Sequence, residues 1–197
     1  MTGKDIIKIT LNLVIVYLVG GLILAWVYAK ASPIMFAKAA IEKEQALKKL
    51  MPAADKIEKL GDWEIHEKHA EYYVAKKQGE VIGYIIESFG KGYSSYIDTL
   101  IAVDKTFTVQ KLDILHHAET PGLGDEIETD WFKNQFAGKD AAHLKVLKTD
   151  TTEYIQAISG ATISSRAVTE DAVKNGVDFL RKTITERGED IGKHRRG

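Results

Sequence analysis

The best-placed nucleophile in this sequence is a threonine hydroxyl set among small residues. Ser159-Gly160-Ala161-Thr162-Ile163-Ser164-Ser165 carries Thr162 immediately before a long amphipathic segment. The first N–H groups of a helix lack intrahelical partners and lie at the positive end of its dipole. An anionic phosphate beside Thr162 would therefore gain dipole stabilisation and hydrogen bonds together. Gly160 and Ala161 keep bulk away from that approach. The same run also reads as a serine-rich helix start, with Ser164 or Ser165 as N-cap. A threonine hydroxyl is a weak nucleophile, so a bond from it to phosphorus would need activation.

A second segment, His117-Ala118-Glu119-Thr120-Pro121-Gly122-Leu123-Gly124, has the chemistry of a tight, rigid turn. Pro121 presets φ and Gly122 supplies a permissive backbone, which suits a wall for a flat ring or an ordinary strand-to-helix turn. The Ser-Gly-Ala-Thr run followed by Ser-Ser resembles the flavinylation motif of the FMN-binding domain family. The Glu-Thr-Pro-Gly-Leu-Gly run resembles a loop of the same family, in the same order along the chain. The resemblance implies FMN held covalently as a phosphoester on Thr162, installed from FAD by a flavin transferase. It implies that Ser159, Gly160, Ala161, Ile163, Ser164 and Ser165 surround the attachment point. It further implies flavin contacts from Glu119, Thr120, Gly122 and Leu123, with Tyr93 and Ser94 of a glycine-tyrosine segment as neighbours. One position departs from the pattern: many members carry Asp where this chain has Gln156.

Together with an N-terminal apolar segment, the resemblance spans nearly the whole chain. It is similar to the flavin-bearing subunits of Rnf-type membrane complexes, which couple electron flow between ferredoxin and NAD to ion movement. This implies an electron carrier that is an enzyme only as part of a redox-driven translocase, with other membrane subunits as partners. It also implies a soluble domain on the outer, periplasmic side of a bacterial or archaeal inner membrane. Alternatives are a component of a sodium-pumping NADH:quinone oxidoreductase, a stand-alone flavinylated carrier, or a non-redox anchored scaffold.

Such a site needs an anchor and a domain to hold it. Residues 1–8 form a short flank, and residues 9–29 are apolar apart from Thr10 and Asn12. At ~1.5 Å per residue that stretch matches the ~30 Å hydrocarbon core of a bilayer, which predicts a transmembrane helix. Lys4, Lys8 and Lys30 flank it, and Tyr17, Trp26 and Tyr28 suit the interfaces. A cleaved signal peptide would have a shorter apolar core and a better small-residue site than Ala29-Lys30-Ala31. The lysines after the span favour a cytoplasmic domain by local charge, against the outward placement the resemblance implies. The 27 basic and 28 acidic residues nearly cancel, which gives no footprint for a nucleic-acid partner. The absence of cysteine excludes disulfides, Cys-ligated iron–sulfur clusters and thioether haem.

Residues 30–187 are expected to form one FMN-binding domain, and residues 188–197 a polar, basic tail that is loose or contacts a partner. Ser32-Pro33 predicts a fresh helix start, with Pro52 ending that helix. The Ala29–Ser32 junction could then be a swing point or a rigid stalk. Strands are expected over Tyr72–Lys76 and Val81–Ser88 as a hairpin, Ile97–Val103 and Phe107–Leu115 as a pair, and in His143–Leu147 and Tyr154–Ile158. Asp130 is expected to N-cap a short helix through Trp131, Phe132 and Phe136, with the three aromatics in the core. Val173, Val177, Leu180 and Ile184 predict an amphipathic helix from about Ser165 to Glu186. The fold class is α+β: a mixed or antiparallel sheet with peripheral helices behind one transmembrane helix.

Other constellations carry less. Gly90-Lys91-Gly92-Tyr93-Ser94-Ser95 lacks the full dinucleotide fingerprint and the helix that must follow it. His66 and His69 have the wrong spacing for a metalloprotease pair, and the adjacent His116 and His117 would point to opposite faces of a strand. No metal site and no hydrolase triad is expected.

Overall fold

The structure, a computed structural model, describes residues 3–194, with side chains described as far as residue 186. It divides into two compact units, Met1–Lys43 and Glu44–Gly197. The described residues of the first unit belong to helix α1 (Gly3–Leu50), whose segment 9–29 is apolar on every side apart from Thr10 and Asn12. Leu22, Leu24, Val16 and Tyr17 all lie more than half exposed. Its best 18-residue window has a mean hydropathy of 2.2, long and apolar enough to cross a membrane.

α1 runs unbroken through Ser32 and Pro33, so the helix start expected there is absent. An N-cap serine and N1 proline mark a beginning only where the preceding chain is not already helical. Here the apolar run carries the helix into Pro33, and the lost N–H and ring clash, about 3 kcal/mol, are absorbed by strong helix formers on both sides. The swing-point reading of Ala29–Ser32 gives way to continuous helix. α1 stops ahead of Pro52, with the Met51 N–H donating back to the Leu47 carbonyl.

The second unit is built on a five-stranded antiparallel meander: β1 (Lys56–Ile65), β2 (Lys68–Lys77), β3 (Glu80–Lys91), β4 (Tyr96–Asp104) and β5 (Val109–His116). Its central strands are buried on both faces, and neighbouring residues feed opposite cores. Tyr72, Ile86, Ile101 and Val103 face one cluster, with Val168, Val173, Val177 and Leu180. Tyr73, Ile85, Leu100 and Ala102 face the other, closed by Ala46, Leu47, Leu50 and Met51. The hairpin expected at Gln78-Gly79 is present, both residues having positive φ. β1 was not anticipated, and it joins β2 through His66-Glu67, also both at positive φ. The His66 ring at that turn lies 2.8 Å from Asp171. β5 begins two residues later than expected because Phe107, at φ 62°, is out of strand conformation.

The remaining elements build the site. A 3-10 turn (Gly124–Glu128) leads to α2 (Asp130–Asn134), whose N-cap is Thr129 rather than Asp130, since its hydroxyl accepts from the Phe132 N–H. β6 (Val146–Leu147) and β7 (Ile155–Gln156) form a short parallel pair, much shorter than the strands expected there. Then α3 (Thr162–Arg166), a π-helical segment (Ala167–Val173) and α4 (Lys174–His194) run on without a break. The helical run thus starts three residues earlier than the periodicity predicts. The π segment lies directly on β3, where a Cβ on Gly90 would collide with the Ala167 carbonyl. α4 continues past Gly188 to His194, where a tail was expected; Arg195–Gly197 of that tail lie outside the described residues.

Candidate functional site

The Thr162 motif and the Glu119 loop meet at a cavity of about 920 Å³ in the second unit. The chain reaches it from β7 through Ser159 and Gly160. Gly160 takes φ +80°, and a Cβ there would come within 2.8 Å of Leu123 Cδ1. This is a turn that only glycine enters without strain. Thr162 is the first residue of α3, half-buried and on the cavity wall.

The two serines that could have capped the helix do other work. Ser165 is fully buried, donates its hydroxyl to the Ala161 carbonyl at 2.9 Å and accepts the Ile158 N–H at 3.0 Å. Ser164 is buried and donates to the Glu119 carboxylate. The N-cap position belongs to Ala161, which offers no side-chain bond. The loop between β3 and β4 closes on the same carboxylate. Tyr93, Ser94 and Ser95 donate their backbone N–H groups to Glu119 at 3.0, 2.9 and 3.2 Å. Burial pushes the Glu119 carboxyl up, but the Ser164 hydroxyl and these three N–H groups outweigh it and hold it below the usual carboxylate range.

The Thr120–Gly124 turn is as tight as expected: the Leu123 and Gly124 N–H groups both donate to the Thr120 carbonyl, and Gly122 takes φ +72°. His117 braces its base. Its Nδ1 accepts the Glu119 N–H, which leaves the proton on Nε2 to donate to Glu128 at 2.8 Å.

Of the residues expected at the site, Tyr93, Glu119, Thr120 and Leu123 line the cavity, as do Ser159 to Ser164. Ser94, Gly122 and Ser165 stand behind the wall: Ser94 holds Glu119, Gly122 shapes the turn, and Ser165 locks the start of α3. Trp131, Lys148 and Gln156 also line it. Trp131 was expected in the core with Phe132 and Phe136, which are fully buried, but it is 53% exposed. Positions 132 and 136 are four apart, the spacing of one helix face, and their rings pack edge-to-face at 5.4 Å, whereas 131 falls off that spacing. That spacing was a usable signal. Gln156 directs its side-chain N–H to Asp150 at 2.7 Å. Lys148, just after β6, carried no signal.

Beyond Ile41, the large apolar side chains left exposed among the described residues are Tyr93 (73%), Leu123 (42%), Trp131 (53%) and Ile163 (54%). All four line this one cavity. Exposed apolar surface gathered at a concave site marks a place where something apolar binds. Glu119 is its lining acid and Lys148 its lining base. Neither the Thr162 hydroxyl nor the Lys148 ammonium has a hydrogen-bond or ion-pair partner among the described residues. The residues present therefore fit a flavin nucleotide: open apolar surface for a ring, and a free hydroxyl and cation for a phosphate.

Comparison with known proteins gives four results. Residues 92–178 match the FMN-binding domain family, a span that contains both motifs. The chain is 37% identical to the G subunit of the proton-translocating ferredoxin:NAD(+) oxidoreductase complex of Clostridium ljungdahlii, over 89% of this chain and 91% of that one. It is 30% identical to the G subunit of the ion-translocating oxidoreductase complex of Methanosarcina acetivorans, over 90% and 96%. In fold it is similar to the C subunit of the Na(+)-translocating NADH-quinone reductase from Parabacteroides distasonis, with a TM-score of 0.57 at 23% identity, covering 75% of this chain and 94% of that one.

Proposed function

The chain belongs to the family of G subunits of ion-translocating ferredoxin:NAD(+) oxidoreductase complexes, and from that premise we propose that it holds FMN covalently on Thr162 and relays electrons within such a complex. The observation that carries this reading is the convergence of four exposed apolar side chains on the cavity wall that bears the Thr162 hydroxyl. Tyr93, Leu123, Trp131 and Ile163 would hold the ring. Thr162 and Lys148 would hold the phosphate. FMN supplies the electron chemistry; the protein fixes its position and shapes its surroundings.

Attachment is a phosphoryl transfer from FAD catalysed by a separate flavin transferase. A bond forms between Thr162 Oγ1 and the FMN phosphorus as the pyrophosphate P–O bond breaks. AMP leaves, and the hydroxyl proton passes to a base of the transferase. The half-buried Thr162, first in its helix, keeps its hydroxyl on the cavity wall for that reaction. α1 serves as a single membrane span, and the second unit lies on the outer side of the membrane. Covalent attachment suits that placement, since a dissociated carrier outside the cell would be lost to dilution. The partners are the membrane subunits of the complex.

The test is direct. The full chain, co-expressed with a flavin transferase, gains the mass of one FMN phosphoester and fluoresces in a denaturing gel. Thr162→Ala abolishes both. A wild-type product without the adduct under those conditions overturns the reading.

A further inference from the structure

Three successive backbone N–H groups, from Tyr93, Ser94 and Ser95, converge on one carboxylate. A run of N–H groups pointing into a concavity is an anion-binding nest, the same device that holds phosphate in nucleotide sites. Here an internal anion fills it. Glu119 is 5% exposed, and its fourth donor is the Ser164 hydroxyl, two residues beyond Thr162.

The fit is close on two sides. A Cβ on Gly92 would approach Glu119 Oε1 to 2.5 Å, and one on Gly124 would approach Glu119 Cβ to 2.8 Å. All four partners are donors, which matches a carboxylate, an acceptor at both oxygens, and mismatches an amide. Glu119, the residue that fills the nest, lines the same cavity as Thr162, so a nest opened by its loss would compete for the phosphate that Thr162 must receive.

We propose that Glu119 is a positioning residue that fills this nest, denying it to phosphate and leaving Thr162 and Lys148 as the anion-accepting end of the cavity. The assignment rests on the flavin-site reading above, but its test can be made without flavin. The full chain, expressed without transferase and held in detergent, is titrated with inorganic phosphate while the amide resonances of residues 93–95 are followed. In the wild type these amides show no saturable shift. In Glu119→Ala they shift saturably, and attachment of FMN to Thr162 by the transferase slows several-fold.

Glu119→Gln preserves volume and serves if the alanine variant does not fold. Its amide group faces the Tyr93 N–H with a donor, so the nest opens in part and a weaker phosphate response with slowed attachment is expected. A saturable phosphate shift in the wild type overturns the proposal. So does a glutamine variant whose phosphate response and attachment rate both equal the wild type's. Failure of Thr162 to carry flavin would leave the phosphate titration readable, so the two ideas fall separately.

Discussion

The Glu119 side and the Thr162 side of the cavity meet at α3, which carries Thr162 and the Ser164 that donates to Glu119, yet they differ in how far their polar atoms are paired. On the first, one carboxylate takes four donors and two glycines leave no spare room around it. On the second, a hydroxyl and an ammonium have no partner among the described residues, and apolar side chains stand open to solvent. The contrast separates two jobs. A wall whose interactions are complete sets the shape of the cavity before any ligand arrives, whereas a wall with unspent interactions keeps its free energy for binding.

Substitutions should therefore sort by wall. The largest separation is expected for Thr162→Ala: complete loss of the flavin adduct, with unfolding free energy within about 0.5 kcal/mol of wild type because no hydrogen bond is lost. Intact mass and thermal denaturation of the flavin-free chains check both halves. A large loss of stability would place Thr162 on the structural wall and break the contrast.

Glu119→Ala should slow attachment without abolishing it and act mainly on stability, destabilising the flavin-free domain by about 3 kcal/mol, since several buried donors lose a charged acceptor at once. The pH dependence has a definite sign. Glu119 is held below the ordinary carboxylate range in the folded state, so its contribution is fully present above the unfolded value of about 4.3. It is lost as pH falls through the folded value. Urea midpoints measured from about pH 6 to pH 3 should fall more steeply for wild type than for Glu119→Gln. The neighbouring His117 and Asp125 are present in both chains, so the difference isolates Glu119. Parallel slopes would contradict the assignment.

Gly160→Ala tests the joint between the walls. At φ +80°, with Leu123 Cδ1 2.8 Å from the added methyl, it should cost about 1–2 kcal/mol. It should also slow attachment by moving Thr162. Denaturant midpoints and adduct yield on the same preparation show whether the two effects travel together.

How much of this was legible depended on whether local chemistry or tertiary pairing decided the outcome. The Gln78-Gly79 hairpin, the turn at Pro121-Gly122 and the small-residue approach to Thr162 are written in residues whose backbone preferences are strong. β1 is not. Lys56, Glu58, Lys59, Asp62 and Glu64 are poor strand formers, and the strand is held by pairing with β2, including Lys59 with Glu71 and Lys76 with Glu58. Its turn at His66-Glu67 lacks glycine and asparagine, so no local signal marks it. At the site, the motif residues could be named from sequence, but their division of labour could not. Glu119 reads as a ligand contact until its four donors are seen, and Lys148 reads as one exposed lysine among many.

That lysine gives the smallest expected effect and the finest test of the contrast. Lys148→Gln removes the base that lines the cavity without breaking any interaction with a described residue, so stability should stay within about 0.5 kcal/mol of wild type. A solvent-exposed ammonium acting on a phosphate is worth roughly 1 kcal/mol at most. Attachment of FMN should therefore slow by about three- to fivefold at low ionic strength. Salt should erase the difference, because screening acts on the Lys148 term and not on the bond-forming step at Thr162. Transferase-dependent incorporation followed in low and high salt for both chains reads this directly. Equal rates at low salt would remove Lys148 from the binding wall, leaving Thr162 and the apolar side chains to recruit the nucleotide without a charge partner.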